Sequence, residues 1–269
     1  KAGMVAVATM PLLRARELGD IIDKAQPALA LCDATLLAEL KYAQQEHPVL
    51  RSIQKFNAAD DPTDLGVLCA GKSGVFAACP TAADDIALMA FTSGTTGKPK
   101  AAIHSHRDVL AACECWPRHV LRATPDDIVM GSPPLAFTFG LGGMLIFPMW
   151  AGASVYYPDI AYTPEAMVRL IGEVGATICY TAPTFYRQMA PFAKSMGIPS
   201  LRRCVSAGEG LPDATRTLWR EATGIEMIDG IGATEMFHIF ISSAGAEVRH
   251  GAIGKVVPGY TARVVNDEG

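Results

Sequence analysis

Apolar, strand-like segments alternate with amphipathic, helix-like segments along most of this chain. Residues 3–10 (GMVAVATM) have the pattern of a buried strand, residues 14–26 that of an amphipathic helix, and residues 28–33 (ALALCD) that of another strand. Residues 107–115 are also helix-like, whereas residues 57–85, rich in Asp, Gly, Ala and Pro, predict a loop or short strands. The order helix then strand returns at 163–175 and 176–183, and at 213–224 and 225–232. Such alternation forms βαβ units, so the sequence predicts an α/β fold around a mainly parallel sheet, in one large or two fused layers.

Composition narrows the class of protein. The 269 residues suffice for one large domain or two modest ones, and 50% hydrophobic with 19% charged residues is typical of a globular protein. A net charge of -4 provides no basic surface, which argues against a nucleic-acid partner. The seven cysteines are scattered and odd in number, which favours a reducing compartment, the cytoplasm, over a disulfide framework.

The stretch between Asp127 and Asp159 contains no charged residue and is long enough to suggest a membrane span. Its prolines and glycines divide it into strand-length and helix-length pieces, and no Lys or Arg cluster flanks it. We therefore interpret this stretch as buried core and expect no membrane span.

Residues 91–100 (FTSGTTGKPK) combine glycines, hydroxyl side chains and two lysines, and an apolar run leads into them. A strand that ends in a turn of this kind offers backbone N–H groups and hydroxyls at close range, which suits phosphate oxygens. The Walker A loop requires G-x-x-x-x-G-K-[ST], but here Gly94 and Gly97 are three apart and Pro99 follows Lys98. The segment predicts a phosphate loop outside the P-loop class, with an ordinary flexible turn as the alternative.

Residues 92–100 (TSGTTGKPK) resemble the phosphate-binding signature of the adenylate-forming superfamily, which includes acyl-CoA synthetases, luciferases and peptide-synthetase adenylation domains. Residues 206–212 (SAGEGLP) resemble the Gly-Glu turn beside adenine, and residues 229–235 (DGIGATE) resemble the motif Y-G-x-T-E, with Ile231 replacing the aromatic residue. Residues 251–269 are similar to the segment just before the ribose-binding aspartate. The resemblance covers essentially the whole chain, and it implies stacked, mainly parallel sheets flanked by helices.

Within the superfamily, the chain looks most like the benzoate- and 2-aminobenzoate-CoA ligases. Residues 1–22, 133–143 (PPLAFTFGLGG) and 229–240 (DGIGATEMFHIF) carry this likeness. It implies that an aromatic carboxylic acid is activated by ATP with Mg²⁺ to acyl-AMP and then transferred to coenzyme A; whether the enzyme is a homo-oligomer stays open. It also implies that residues 1–269 are the middle of a large domain, with residues missing at both ends and a small C-terminal domain, with its adenylation lysine, absent.

The resemblance assigns roles by position. The ATP phosphates would be held by Thr92, Ser93, Gly94, Thr95, Thr96, Gly97, Lys98 and Lys100. The adenine side would be formed by Gly208, Glu209, Gly210, Asp229, Gly230, Ile231 and Gly232. Catalysis would involve Lys100, Thr234 at the α-phosphate and Glu235 at magnesium. The acid side would be lined by Phe137 (also a gate to the pantetheine tunnel), Thr138, Phe139, Gly140, His238 and Ile239.

Each of these residues has a simpler interpretation. Glu235 could be a solvated carboxylate at a helix start, and His238 a core histidine. Phe137 and Phe139, spaced by two, would share one face of a strand and could be plain core. A luciferase-like, fatty-acyl or peptide-synthetase enzyme, or a non-catalytic nucleotide-binding module, remains the alternative function.

Overall fold

The computed structural model describes residues 1–58, 60–92 and 99–266. These form two compact units, Lys1–His106 and Arg107–Gly269.

The first unit contains two small sheets. Its elements are β1 (Ala6–Val7), α1 (Ala15–Ala25), β2 (Leu29–Asp33), α2 (Leu37–Glu46, after a 3₁₀ turn at Ala34–Leu36), β3 (Ser52–Phe56), α3 (Leu65–Ala70), β4 (Ile86–Thr92) and β5 (Lys100–Ser105). One sheet has the order β1-β4-β5, and the other is the parallel pair β2-β3. Strand β1 runs parallel to β4, whereas β4 and β5 are antiparallel.

Helix α1 shows how the local sequence sets these elements. The Glu17 carboxylate accepts a hydrogen bond of 2.8 Å from the Arg14 N–H, and Gln26 closes the helix in a left-handed conformation. The buried face of α1 includes Ile22, which packs with Leu40 and Leu50 below the β2-β3 pair. The predicted helix at 14–26 and strand at 28–33 are confirmed.

Two predictions for this unit need correction. The strand predicted over 3–10 covers only Ala6–Val7, and most of the segment is exposed, because it pairs with β4 along one edge alone. The described part of residues 57–85 is mostly loop, as one alternative of the prediction has it, but it contains the short helix α3 and no strand. The Asp64 carboxylate, which accepts hydrogen bonds from Gly66 N (2.7 Å) and Ala58 N (2.8 Å), caps this helix.

The second unit is built on a seven-stranded sheet. Its elements are α4 (His106–Trp116, beginning at the last residue of the first unit), β6 (Ile128–Gly131), α5 (Thr138–Leu141), α6 (Phe147–Ala151), β7 (Ser154–Val155), α7 (Pro164–Val174), β8 (Ile178–Thr181), α8 (Pro183–Met196), β9 (Arg203–Ser206), α9 (Asp213–Thr223), β10 (Met227–Gly232), β11 (Ile239–Ser243) and β12 (Lys255–Val256). Shorter turns are π-helical at Pro117–Leu121 and Gly142–Ile146, and 3₁₀ at Thr234–Met236 and Gly245–Glu247. The strand order is β12-β11-β10-β9-β8-β6-β7. Strands β10, β9, β8, β6 and β7 are parallel, whereas β11 is antiparallel to both of its neighbours, β10 and β12.

The helices of this unit begin and end at the residues that the sequence marks. Thr163 caps α7 by accepting a hydrogen bond of 3.2 Å from Ala166 N, and Gly175 ends it at a φ of +71°. Its inner face, with Ile171 fully buried, joins Tyr186 of α8 and Trp219 of α9 in one apolar core. The helix and strand predictions at 107–115, 163–183 and 213–232 are confirmed.

The uncharged stretch forms β6, α5, the π-helical turn, α6 and β7, as its prolines and glycines predict. Among the described residues, no helix is both long enough and apolar enough to cross a membrane.

Candidate functional site

The carboxyl ends of four parallel strands meet at one edge of the larger sheet. The registers pair Gly131 with Tyr180, Thr181 with Ser206, and Ser206 with Asp229. The strand order also reverses here, because β6 has β7 on one side and β8 on the other. Ligands of open α/β sheets bind outside the carboxyl ends of strands at such a reversal, so this edge is the candidate site.

The predicted adenine residues lie along this edge. Gly208, Glu209 and Gly210 follow β9 and are exposed, next to the end of β10. Gly208 has a φ of +90°, a conformation that favours glycine, and the Glu209 carboxylate accepts a hydrogen bond of 2.8 Å from Thr184 Oγ1. The structure therefore brings together two motifs that are separated by about twenty residues in the sequence.

Asp229 is the buried member of this group, at 9% exposure. Burial raises the pKa of its carboxyl group, while the hydrogen bond from Gly230 N (2.9 Å) and the Arg216 guanidinium at 3.9 Å act in the opposite direction. Ile231 is 40% exposed at the end of the strand, and Gly232 closes β10.

A tight turn after β10 separates the catalytic and acid-side candidates. Thr234 and Glu235 lie in the 3₁₀ turn, and Glu235 is exposed and forms no ion pair within the described part of the chain. Phe237 follows with φ +67° and ψ -39°, a strained conformation for a residue with a side chain. The turn is closed by a hydrogen bond of 3.3 Å from Ala233 N to His238 O. It directs His238 inward while Glu235 faces solvent.

His238 lies in a group of rings that we call the aromatic cluster. Its members are Trp116, Phe139, Phe147, Tyr180, Phe237 and His238. The imidazole is 3% exposed, and its Nε2 donates a hydrogen bond of 3.2 Å to Phe139 O. Burial lowers the pKa of His238 to about 3, with the bond to Phe139 opposing the shift, so the ring is neutral at physiological pH. This bond brings two predicted acid-side segments, residues 137–140 and 238–239, into contact.

The predicted strand face shared by Phe137 and Phe139 is wrong. Phe137 is extended and 48% exposed, and Phe139 lies in helix α5, which begins at Thr138. Two apolar residues two apart are too short a pattern to separate a strand from a helix start. Thr138 and Gly140 are buried, and a Cβ on Gly140 would lie 2.1 Å from Pro134 O, so only glycine fits there.

Ile239, the remaining acid-side candidate, is 1% exposed and packs against the adenine-side strand. A Cβ added to Gly230 would lie 2.4 Å from Ile239 Cγ2. Acid-side and adenine-side candidates are thus neighbours across β10 and β11.

Several residues of the aromatic cluster have no signal in the sequence motifs. Trp116 comes from the end of α4 and Tyr180 from the middle of a buried strand, and both are fully buried. Gly142 and Gly143 allow the π-helical turn to approach the cluster, because their added Cβ atoms would lie 2.7 Å from His238 Cδ2 and 2.6 Å from Tyr180 Cε1. Only the tertiary structure identifies these positions.

The predicted phosphate loop falls within the first unit, and its residues Ser93, Gly94, Thr95, Thr96, Gly97 and Lys98 lie outside the described residues. The flanking candidates are described: Thr92 ends β4, Lys100 begins β5, and the two are paired in register. Strands therefore flank the segment on both sides, whereas a Walker A loop is followed by a helix. No group of three or more His, Cys, Asp or Glu side chains suited to a metal ion occurs among the residues that the structure describes.

A family model and individual relatives both match this chain along nearly its full length. The family described as "AMP-binding enzyme" matches residues 1–269. The benzoate–CoA ligase of Thauera aromatica is 33% identical over 100% of this chain and 51% of its own length. The anthranilate–CoA ligase of Pseudomonas aeruginosa is 30% identical over 99% of this chain and 51% of its own length. The chain therefore spans about half the length of the curated relatives it matches.

Solved structures confirm the α/β architecture. The anthranilate CoA ligase AuaEII in complex with anthranoyl-AMP superimposes with a TM-score of 0.91 at 35% identity, covering 98% of this chain and 52% of that one. A benzoate CoA ligase from Burkholderia xenovorans LB400 gives a TM-score of 0.85 at 27% identity, covering 98% of this chain and 53% of that one.

Proposed function

Because the chain belongs to the AMP-binding enzyme family, we propose that the whole protein activates an aromatic carboxylic acid with ATP and transfers the acyl group to coenzyme A. The observation that carries this proposal is the aromatic cluster around a neutral, buried His238 at the carboxyl edge of the sheet, next to the exposed turn with Glu235. Ring faces with few polar atoms suit contact with a flat aromatic acid. The family relatives named for benzoate and anthranilate support the same substrate class.

The reaction begins with a poor acyl donor. A carboxylate oxygen attacks the α-phosphorus of ATP, the bond to the β-phosphate oxygen breaks, and pyrophosphate leaves. The thiol sulfur of coenzyme A then attacks the carbonyl carbon, the bond from carbon to the AMP oxygen breaks, and AMP leaves. Both first reactants are anions, so the protein must offset their repulsion with donors and positive charge.

The chain offers residues for this task. We assign the ATP phosphates to Thr92–Lys100 and the α-phosphate to the Thr234 hydroxyl. The exposed turn at Gly208–Gly210 and the end of β10 at Asp229–Gly232, where Ile231 and Gly232 are exposed, suit the adenine ring. On the acid side, we assign Phe139, His238 and Ile239 to the ring and Phe137, which is largely exposed, to the coenzyme A entrance.

Glu235 is suited to hold Mg²⁺ beside the ATP phosphates. Mg²⁺ is usually held by one or two carboxylates and substrate phosphates rather than by a cage of protein ligands. Glu235 is an exposed carboxylate without an ion pair in the described part of the chain. No cluster of three or more His, Cys, Asp or Glu side chains suited to a metal ion occurs there. When bound, the ion would neutralise charge on the phosphates; Glu235 would hold it.

The domain and the cellular compartment can also be proposed. We place residues 1–269 in the large, nucleotide-binding domain of the enzyme. All seven cysteines have free thiols, three of them fully or nearly fully buried at Cys113, Cys179 and Cys204, so we place the protein in the cytoplasm.

The test is acid-dependent exchange of pyrophosphate into ATP by the full-length protein. The panel of acids is benzoate, 2-aminobenzoate, acetate, octanoate and a set of amino acids. We expect the aromatic acids to support the fastest exchange, since a site formed by aromatic side chains gains more from a flat ring than from acetate or a long chain. Faster exchange with octanoate would indicate a fatty-acyl enzyme, with amino acids a peptide-synthetase domain, and no exchange with any acid a non-catalytic nucleotide-binding module.

A further inference from the structure

The aromatic cluster contains three buried polar atoms without a hydrogen-bond partner among the described residues: His238 Nδ1, Trp116 Nε1 and Tyr180 Oη. The three side chains are between 0% and 3% exposed. Their rings are neighbours, with centroids 5.1 Å apart for Trp116 and His238 and 6.2 Å apart for Trp116 and Tyr180. Native proteins satisfy nearly all buried polar groups, so three orphans in one cluster indicate a partner that the protein itself does not supply.

The hydrogen-bonding character of each atom is fixed by chemistry. The carbonyl oxygen of Phe139 can only accept, so His238 Nε2 carries the hydrogen and Nδ1 of the neutral ring can only accept. Trp116 Nε1–H can only donate, and the Tyr180 hydroxyl can do either. A single group that satisfies all three atoms must therefore donate one hydrogen bond and accept another.

Few substituents of an aromatic acid meet this requirement. A carboxylate only accepts, so it would leave His238 Nδ1 facing a second lone pair. An aromatic amine donates but accepts poorly, because its lone pair is delocalised into the ring. An unsubstituted ring does neither, whereas a hydroxyl group does both.

Resting on the proposed function, we propose that the acid substrate carries a ring hydroxyl group, and that Trp116, Tyr180 and His238 determine this specificity. The carboxylate of the acid is then bound by other residues, and His238 contacts the ring substituent. Trp116 and Tyr180 thereby acquire a function that no sequence motif of the chain assigns to them.

The experiment measures kcat/KM for pyrophosphate release by the full-length protein with benzoate, 2-aminobenzoate and 2-, 3- and 4-hydroxybenzoate. We expect one hydroxybenzoate to exceed benzoate and 2-aminobenzoate by about tenfold or more, because a site built to bind a hydroxyl leaves its own groups unpaired with an analogue that lacks it. Trp116→Phe and Tyr180→Phe should each lower the ratio of hydroxybenzoate to benzoate. The matched control is Tyr186→Phe, since the Tyr186 hydroxyl is equally buried but already donates to Cys179 O at 2.7 Å. This control should reduce stability and leave the ratio unchanged.

The outcomes separate the two proposals. Turnover of benzoate or 2-aminobenzoate that equals or exceeds that of every hydroxybenzoate overturns the hydroxyl specificity and keeps the aromatic-acid function. An unchanged ratio in both Trp116→Phe and Tyr180→Phe also overturns it, with the orphan atoms then satisfied by buried water. Absence of turnover with every aromatic acid overturns the proposed function itself. The wild-type panel decides the substrate question even if a variant does not fold.

Discussion

Glu235 and His238 are three residues apart, yet one faces solvent and the other is buried. The strained backbone of Phe237 explains this divergence, because its positive φ turns the chain between them. Packing compensates for that strain, since Phe237 is 1% exposed and its ring lies 6.1 Å from that of Phe147. A single residue thereby places a hydrophilic carboxylate and a neutral imidazole in two different environments.

Glu235→Gln should slow acid-dependent pyrophosphate exchange by about tenfold or more and shift its dependence on magnesium to higher concentrations, because the amide lacks the charge that attracts the cation. The measurement is exchange in a magnesium titration of the full-length protein. Glu247→Gln is the control, since Glu247 is an exposed carboxylate whose partner is Lys255 at 3.3 Å. Equal magnesium dependence of Glu235→Gln and wild type would remove Glu235 from the metal site.

The carboxyl and amino ends of the strands in the larger sheet differ in function. The carboxyl ends of the strands carry the candidate site, whereas the amino ends are held by the buried Asp127, which is 2% exposed. Its carboxylate accepts hydrogen bonds from Thr177 Oγ1 (2.7 Å), Thr124 N (2.8 Å) and Arg202 Nε (2.7 Å). These residues lie just before β6, β8 and β9, so one side chain connects the starts of three neighbouring strands.

Asp127→Asn should reduce the free energy of unfolding by about 1–3 kcal/mol at pH 7, because the Arg202 guanidinium, whose side chain is 35% exposed, loses its buried counter-charge. Burial alone would raise the pKa of Asp127, but the hydrogen bonds from Arg202, Thr177 and Thr124 outweigh it and lower the pKa to about 2. Since the folded pKa lies below the unfolded value of about 3.9, this stabilisation is complete above about pH 5 and is lost as the pH falls towards 2.

Urea unfolding at pH 7, 5, 4 and 3.5 measures this effect. The difference between wild type and Asp127→Asn should shrink as the pH falls. Glu173→Gln, which removes an exposed pair with Arg169 at 2.8 Å, should cost less than about 1 kcal/mol at each pH. A difference for Asp127→Asn that is small at pH 7, or constant over the series, would contradict this account of Asp127.

Gly143 in the π-helical turn lies directly against the Tyr180 ring. Gly143→Ala should destabilise the protein by roughly 1–3 kcal/mol, because the new methyl group would overlap the Tyr180 ring. Gly172→Ala in α7 is the matched control: no atom lies within 4 Å of its added Cβ, so the better helix propensity should stabilise by about 0.5–1 kcal/mol. Urea unfolding of both variants measures the contrast. Equal stability changes would show that Gly143 is not closely packed.

For the whole molecule, the sequence predicts repeated local patterns better than long-range contacts. Helix α7 is capped by Thr163, both α7 and α9 end at a left-handed glycine, and each has a regular apolar face, so these bounds follow from local chemistry. Residues 3–10 predict a buried strand because they are mostly apolar. Whether such a segment is buried depends on the strands that pair with it, and the local sequence does not specify those. Trp116 and Tyr180 could not be assigned, because a buried ring becomes part of a site only through its neighbours in the fold.

The motifs of the candidate site are a different case. The Gly208–Gly210 turn, the strand end at Asp229 and the turn with Glu235 were identified by likeness to a family, and the structure brings the first two together at one sheet edge. The strand predicted at Phe137 and Phe139 is wrong, and the two residues lie in different environments. Phe137 is 48% exposed, whereas the Phe139 carbonyl accepts a hydrogen bond from His238. Resemblance thus predicts the site residues, and geometry separates the buried candidates from the exposed ones.

The most direct test of the central claim follows the oxygen atoms of the acid. The full-length protein is supplied with ATP, coenzyme A and the aromatic acid that it activates fastest, with both carboxylate oxygens labelled with oxygen-18, and the products are analysed by mass spectrometry. If the carboxylate attacks the α-phosphorus, one labelled oxygen must appear in the phosphate of AMP and none in pyrophosphate, in step with formation of the thioester. Thioester formation with unlabelled AMP, or with the label in ADP or inorganic phosphate, would contradict adenylation and with it the proposed function.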